Sequence, residues 1–451
     1  MEPGLMQIIT RILAKSALAI FVVLVISSCS VFQSPNAAAK PHYEEGLTFL
    51  QAEEYDKAIA SFSKALELDS HYKEAYYGRG KAQTESGRYD QALDDFNQAI
   101  ELDPQYADAY TGRGNAYLRL EQYESALSDY TKAIQLDPNE KSAYINRGLI
   151  YYFLQQYEHA MADFDRALVL DPQSADTYNN RGYVHLQLEQ VDLAIADFGK
   201  AIELDPQSAK AYSNRASIYN SLGQYELALA DLDEAIRLDP KFADAYNNRG
   251  QAYHALHEYI LAKADYDEAI RLDPEHVQAY YNRGILYYDL DQNDFAIADY
   301  SQAIQIDPEF SRAYYNRGIV YFVTGEYDLA LGDYNQAIRI NPQYLLAYNA
   351  RGRIFHELGN YDRAIDDYNQ AIQLDPRNPQ NSITYKNRGE AHYKLQQYDA
   401  AIEDFDMAIQ LDPQLSSAYQ GRALAYQALG KTAEAQADFS KYQELSAQDH
   451  P

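Results

Sequence analysis

The stretch ADAYNNRGQAYHALHEYILAKADYDEAIRLDPEH, residues 243–276, decides the fold, because close variants of it recur along most of the chain. It contains two apolar-periodic segments of about a dozen residues, the length and pattern of amphipathic helices. Gly250 and Ala262 are small at points where the two helices must approach each other closely. Pro274 ends the second segment, because proline lacks an N–H and disfavours helix in the preceding residue. One copy therefore predicts a helical hairpin.

The hairpin recurs with a fixed period. A Leu-Asp-Pro motif or a close relative places its proline at steps of 34 residues, at positions 104, 138, 172, 206, 240, 274, 308, 342 and 376. The next proline, Pro413, follows after 37 residues, which indicates a three-residue insertion between repeats 10 and 11. A single hairpin cannot bury its apolar face alone, so stacked neighbours must provide a continuous core.

The repeat resembles the tetratricopeptide family, whose period is 34 residues. Repeat 7 has the family's spacing at Tyr246, Arg249, Gly250, Tyr253, Ala262, Tyr266 and Pro274, with Tyr, Arg and Tyr in place of the usual Trp, Leu and Phe. The resemblance covers about residues 42–445, and repetition in phase makes it specific. It implies an all-α fold, a right-handed α-solenoid superhelix of about twelve repeats, whose first helices line a concave groove.

An arginine and an aspartate occur together in most of the repeats. Repeats 2–12 carry Arg at one position and Asp sixteen residues later, as in Arg249 and Asp265, whereas repeat 1 has Glu45 and Ser61 there. In an antiparallel hairpin the two side chains should face each other. We expect partly buried ion pairs that fix the register of each hairpin. The alternative is a solvated charged face, since most surface pairs contribute little.

The first forty residues predict an export signal. Arg11 and Lys15 precede an apolar run, residues 17–26, which is shorter than the roughly 20 residues that span a bilayer. The motif ISSC at 26–29 resembles the bacterial lipobox and contains the only cysteine, so no intrachain disulfide can form. The resemblance implies cleavage after residue 28, lipid attachment to Cys29, and a location at the cell envelope, on the periplasmic side of the outer membrane in a Gram-negative host.

Two alternatives for this segment stay open. The small residues Ala37–Ala39 suit an ordinary signal peptidase, which would release a soluble secreted protein, or the segment stays uncleaved as an anchor. With cleavage at Cys29, residues 29–41 form a small, polar, proline-containing tether, and residues 446–451 form a short polar tail.

Charge limits the class of partner. The chain has 67 acidic and 38 basic residues, a formal net charge of -29. Such a chain repels nucleic acid and anionic lipid, because binding phosphates requires clustered Lys and Arg. We therefore expect protein partners with neutral or basic segments, no nucleic acid, and membrane contact only through the lipid anchor.

Asparagines recur on the first helices, at the position that faces the groove in the family. They are Asn146, Asn180, Asn214, Asn248, Asn282 and Asn316 in repeats 4–9. An amide offers a donor and an acceptor, so it can pair with the backbone of an extended peptide. The ladder resembles that of the O-linked N-acetylglucosamine transferases, which implies the same use here. The alternative is that asparagine simply suits a polar helix face.

Apolar residues occupy groove positions in repeats 8 and 9, where neighbouring repeats are mainly polar. They are Tyr281, Ile285, Tyr288, Tyr315, Ile319 and Phe322. A contiguous exposed apolar patch usually marks a binding site. The alternative is that these side chains pack against the next repeat's first helix.

No constellation for catalysis, a metal or a cofactor is evident. His254 and His257 lie one turn apart beside Glu258 without a second ligand pair, which favours a solvated turn over a metal site. The sequence thus predicts a non-enzymatic scaffold that binds extended peptide segments. The alternatives are a docking or regulatory subunit of an envelope enzyme complex and, less favoured, an enzyme with a site assembled along the groove.

Overall fold

The computed structural model describes residues 37–376, 378 and 381–447. Cys29 and the export signal lie outside these residues. The described chain forms 24 helices and no strand, which confirms the predicted all-α fold of twelve helical hairpins. None of these helices combines the length and the hydropathy needed to cross a bilayer.

The chain divides after Leu204 into two compact units, here called the N-terminal and the C-terminal unit. The N-terminal unit contains repeats 1–5, with helices α1 Lys40–Gln51, α2 Tyr55–Leu68, α3 Lys73–Glu85, α4 Tyr89–Leu102, α5 Ala107–Arg119, α6 Tyr123–Leu136, α7 Lys141–Phe153, α8 Tyr157–Leu170, α9 Ala175–Gln187 and α10 Val191–Leu204. Sequence analysis placed Lys40 and Pro41 in the tether, but they belong to α1. Proline is well tolerated in the first turn of a helix, where its missing N–H has no partner to lose.

The C-terminal unit contains repeats 6–12. Its first helices are α11 Ala209–Ser221, α13 Ala243–Ala255, α15 Val277–Asp289, α17 Ser311–Val323, α19 Leu345–Glu357, α21 Asn381–Lys394 and α23 Ser416–Ala428. Its second helices are α12 Tyr225–Leu238, α14 Tyr259–Leu272, α16 Asn293–Ile306, α18 Tyr327–Ile340, α20 Tyr361–Leu374, α22 Tyr398–Leu411 and α24 Thr432–Ser446. Within each unit the second helix of a repeat packs between its own first helix and that of the next repeat.

Small residues meet an aromatic ring at the centre of the hairpins, except in repeat 6, where Ala216 meets Leu232. Ala262 is fully buried on α14, and the ring of Tyr266 one turn later is buried against Gly250 on α13. A Cβ atom at Gly250 would lie 2.7 Å from Cε1 of that ring, so only glycine fits beside it. The predicted close approach at Gly250 and Ala262 is thereby confirmed.

The predicted ion pairs form in all eleven repeats. Arg249 donates from Nε and Nη2 to the two carboxylate oxygens of Asp265, both at 2.8 Å. The same bidentate geometry joins Arg79–Asp95, Arg113–Asp129, Arg147–Asp163, Arg181–Asp197, Arg215–Asp231, Arg283–Asp299, Arg317–Asp333, Arg351–Asp367, Arg388–Asp404 and Arg422–Asp438. Repeat 1 replaces the pair by a neutral donor, the Ser61 hydroxyl, which donates to Glu45 at 3.1 Å.

Most of these arginines also contact the preceding repeat, a role that sequence analysis missed. Arg249 donates from Nη1 to Asp233 of α12 at 2.8 Å. Equivalent bonds reach Ser63, Asn97, Thr131, Asp165, Asp267, Ser301, Asn335, Asn369 and Asp406. The guanidinium group therefore fixes both the register of its own hairpin and the stacking of that hairpin on its neighbour.

Candidate peptide-binding surface

One surface of each unit is built from first helices, because successive first helices contact one another there. We call this surface the first-helix face. The predicted asparagines and apolar residues lie on it, at successive turns of the same helices. All twelve are at least partly covered, and Asn282 is buried with 7% of its surface exposed.

Four of the six asparagines donate an amide hydrogen to the preceding first helix. Asn316 Nδ2 donates to the Tyr281 hydroxyl at 3.0 Å, and Asn282 Nδ2 donates to Asn247 Oδ1 at 2.9 Å. Asn248 and Asn146 make the same kind of bond to Ser213 and Asn115, at 3.3 and 2.8 Å. The ladder therefore joins neighbouring repeats, a third role that the sequence alternatives did not include. Asn282 in particular is too buried to contact a peptide backbone directly.

Two of the six apolar residues are held between repeats. The Tyr281 ring packs 5.0 Å from Phe310, which immediately precedes α17, and the Tyr315 ring packs 5.0 Å from Tyr344, which immediately precedes α19. Both rings also contact the buried tyrosine of their own second helix, Tyr300 or Tyr334. At these two positions the packing alternative describes the structure.

The other four apolar residues lie at later turns of the same two helices. Ile285 and Tyr288 on α15 and Ile319 and Phe322 on α17 are half-buried. Ile285 and Tyr288 pack on the core of repeat 8, and Phe322 packs on the core of repeat 9. The guanidinium of Arg353 lies 4.6 Å from the centre of the Phe322 ring. These four residues form an apolar floor flanked by polar side chains.

A cavity of about 320 Å³ adjoins this floor, between α13 and α15. Its wall includes Ile285, Gln251 and the Tyr266 hydroxyl, which is buried and has no hydrogen-bond partner among the described residues. His254 Nε2 lies 2.8 Å from Asp289 Oδ2 of the next repeat and closes one side. No group of three metal-binding side chains occurs among the described residues.

The sequence pattern favours a solvated turn for His254 and does not single out Asp289. The structure places both on the first-helix face. His254 and Asp289 are 35 positions apart, one more than the 34-residue period, and side chains of successive first helices meet at this spacing. The same offset joins Asn282 to Asn247 and Asn316 to Tyr281. A search for polar pairs at this offset would have found the contact.

A second cavity, of about 300 Å³, lies on the first-helix face of the N-terminal unit. Glu85, Asp108 and Glu140 line it together with a single cation, Lys81. Burial, and next the charge of Asp108, raise the pKa of the Glu140 carboxyl above its usual value. The lining of this cavity therefore carries more acidic than basic side chains.

Burial keeps several tyrosine hydroxyls protonated at pH values at which an exposed tyrosine would ionise. Desolvation raises the pKa of Tyr77 to about 12, and it also raises the pKa values of the buried second-helix tyrosines 130, 266, 300, 334 and 368 above 10.0. The fold excludes these hydroxyls from water, so a hydroxyl can ionise only when its hairpin opens locally.

We expect this chain to unfold in alkali with a steep pH dependence. Because folding raises these pKa values, the stabilisation is complete below pH 10 and is lost as the pH rises from 10 through the raised values, about 12 for Tyr77. A tenfold change in the acid dissociation constant of one phenol corresponds to about 1.4 kcal/mol of stability. Phenolate absorbance at 295 nm, followed together with circular dichroism, should show a late fraction of tyrosines that ionises only as helix is lost. Ionisation of every tyrosine near pH 10 with intact helices would contradict this.

Family models match the sequence over most of its length. A model described as "TPR repeat" matches residues 46–87, 80–121, 150–189, 216–256, 286–325 and 352–396. Models described as "Tetratricopeptide repeat" match 107–140, 175–208, 243–276, 311–344 and 382–415, then 198–230 and 333–366, and finally 416–449. No catalytic family is among these matches. No curated protein matches the sequence.

Three solved structures are similar to the chain. The Cut9–Hcn1 hetero-tetramer of the APC/C is 16% identical, covering 91% of this chain and 94% of the other, with a TM-score of 0.49. Yeast Tom70 is 19% identical over 88% and 96% of the two chains, with a TM-score of 0.45. YrrB, described as a TPR protein with an unusual peptide-binding site, is 28% identical over 42% and 98%, with a TM-score of 0.36.

Proposed function

This chain belongs to the tetratricopeptide repeat family, and we propose that it is a protein-binding scaffold that holds an extended segment of a partner on the first-helix face of its C-terminal unit. The observation that carries the proposal is the apolar floor of Ile285, Tyr288, Ile319 and Phe322 beside a cavity with an unpartnered phenol. Apolar floors with a few polar groups are typical of sites that bind peptides and small ligands.

The contacts indicate which residues would bind each part of the partner segment. Apolar side chains of the partner would cover the floor, and one of them, or a polar side chain, would enter the cavity beside Ile285. Peptide groups would find Gln251 and the Tyr266 hydroxyl at the cavity wall. The asparagines from 146 to 316 would contribute less than the apolar residues, because at least four of them already donate to a neighbouring repeat.

Charge supports a neutral or basic segment. The chain has a formal net charge of -29, and the eleven repeated Arg–Asp pairs, as in Arg249 and Asp265, are each neutral overall and leave that charge unchanged. A basic segment would be attracted before contact, and its on-rate would fall as salt is added.

The test uses a peptide selected from a random library against the wild-type chain. Ile285→Ala combined with Ile319→Ala should weaken its binding at least about tenfold, since loss of anchors of about 1 kcal/mol each accumulates. Ser217→Ala is the matched control, because Ser217 is exposed and occupies the equivalent position on α11. If the double variant and the control bind the peptide with equal affinity, and both keep their helicity, the binding site is not on the first-helix face.

We further propose that the scaffold is tethered to the cell envelope through Cys29. The support is the sequence ISSC at residues 26–29 after an apolar run. Cells labelled with a clickable fatty acid should tag the wild-type chain and not the Cys29→Ser variant. Equal labelling of the two would contradict lipidation, and release of both into the medium would favour the secreted alternative.

A further inference from the structure

Exposed apolar side chains form a stripe on the second helices of four consecutive repeats. They are Leu227 (52% exposed), Ile260 (86%), Leu261 (46%), Phe295 (60%) and Leu329 (49%). All five lie in the first turn of α12, α14, α16 or α18, and four of them occupy one position of the repeat. We call this set the second-helix stripe. It lies on different helices from the apolar floor and is independent of the proposed peptide site.

The stripe is confined to part of the chain. In repeats 1–4 the same position holds Lys57, Gln91, Ser125 and His159, and in repeats 10–12 it holds Arg363, Ala400 and Glu434. Leu193 occupies it in repeat 5, in the N-terminal unit. Single exposed leucines need no explanation, but large apolar side chains at one position in four consecutive repeats form a regularly repeated row.

Small residues beside the stripe leave room for another backbone. Ala230, Ala264, Ala298 and Gly332 lie one turn further along the four helices and are exposed. A Cβ atom at Gly332 would meet no atom within 4 Å. A ligand can therefore approach these helices closely while its side chains contact the large apolar residues on either side.

Carboxylates border the stripe. Glu226, Asp294 and Asp328 are exposed and directly precede Leu227, Phe295 and Leu329 in the sequence. They also stabilise the helix N-termini, but their charge remains at the surface. Lys263, two residues after Leu261, donates to the Asp267 carboxylate at 2.6 Å, which offsets its charge. The border repels a second copy of this acidic chain and an anionic membrane, and it attracts a ligand with basic edges.

We propose that the second-helix stripe binds a basic amphipathic α-helix of a partner protein. Equivalent helices of neighbouring repeats cannot lie closer than the roughly 8–10 Å of packed helices. Successive anchors on a ligand helix that crosses them must then be about two helical turns, roughly 11 Å, or more apart. An amphipathic helix supplies apolar side chains at these intervals along one continuous face, and its flanking lysines or arginines would meet the acidic border.

The probe is a lysine-rich peptide of about four heptads with leucines at every third and fourth position, which form one apolar helix face. A scrambled peptide of the same composition is its control, because it has the same charge and lacks that face. Fluorescence anisotropy with the full chain should show at least tenfold tighter binding of the amphipathic peptide. Its circular dichroism should show that it becomes helical on binding.

Two variants locate the binding. Leu261→Ser combined with Phe295→Ser should abolish the preference for the amphipathic over the scrambled peptide, as should Ile260→Ser combined with Leu329→Ser. Val323→Ser is the matched control, because Val323 is 58% exposed at the end of a first helix, and it should keep the preference. These side chains are exposed, so helicity and thermal unfolding should stay close to those of the wild type.

Three results would overturn the proposal. One is equal binding of the two peptides, or a preference that survives in both stripe variants. Another is self-association of the wild type in sedimentation velocity that the stripe variants lose, which would make a second copy the occupant. The third is binding to vesicles of phosphatidylcholine and phosphatidylglycerol that depends on the stripe, which would make it a membrane surface.

Discussion

Replacing Arg249 by alanine is expected to lower the free energy of unfolding by about 2–4 kcal/mol, between the values typical of exposed and fully buried pairs. Asp265 is buried, and it would lose two charged donors at 2.8 Å without gaining access to water. The loss would also remove the bond to Asp233 of the preceding repeat. Urea unfolding followed by circular dichroism measures the effect, which should be a lower midpoint and a broader transition.

The controls separate this pair from an ordinary surface contact. Arg237 forms an exposed pair with Glu234 one turn away on α12, and Arg237→Ala should leave the urea midpoint close to that of the wild type. A double-mutant cycle on Arg249 and Asp265 should give a coupling of about 1 kcal/mol or more. Zero coupling would mean that the repeated arginines and aspartates stabilise the chain independently, and that the pair does not fix the register of the hairpin.

The period and the hairpins were predictable from sequence because they depend on local features that recur in phase. The Arg–Asp pair was predictable for the same reason, since both residues are invariant within repeats 2–12. The bond from the arginine to the preceding repeat was missed because its acceptor varies among aspartate, asparagine, serine and threonine. A pattern search detects repeated residue types, whereas hydrogen bonding requires only a repeated acceptor.

The candidate site was only partly predictable, because its exposure depends on contacts between repeats. Tyr281 and Ile285 lie one turn apart on α15, yet Phe310 covers the tyrosine and a cavity adjoins the isoleucine. Nothing within a single repeat distinguishes the two. An asparagine likewise suits either a peptide backbone or a neighbouring helix, and Asn282 reaches Asn247 only because of the stacking offset.

The effect of Gly250→Ala on stability is expected to depend on residue 266. The substitution should destabilise the wild type and stabilise a chain that carries Tyr266→Leu. In the wild type the new Cβ would lie 2.7 Å from the Tyr266 ring, which is fully buried and cannot move aside freely. Overpacking of this kind costs about 1–3 kcal/mol and exceeds the roughly 1 kcal/mol that alanine gains over glycine within a helix. With leucine at 266 the clash disappears and only the gain remains.

The chain already contains this combination. Repeat 6 has Ala216 and Leu232 where repeat 7 has Gly250 and Tyr266, and both side chains are fully buried there. Tyr266→Leu breaks no hydrogen bond to a described residue, because the phenol has no partner among them, so its own cost should come mainly from lost ring packing. The experiment needs four proteins: the wild type, the two single variants and the double variant. Urea midpoints measured for each should give a coupling of about 1–3 kcal/mol between the two positions. The reverse change, Ala216→Gly beside Leu232, should destabilise repeat 6 by about 1 kcal/mol or more, because it loses helix propensity and opens a gap. If Gly250→Ala has the same effect with either residue at 266, the glycine is retained for a reason other than the ring beside it, and the core of the hairpin is more adaptable than its close contacts imply.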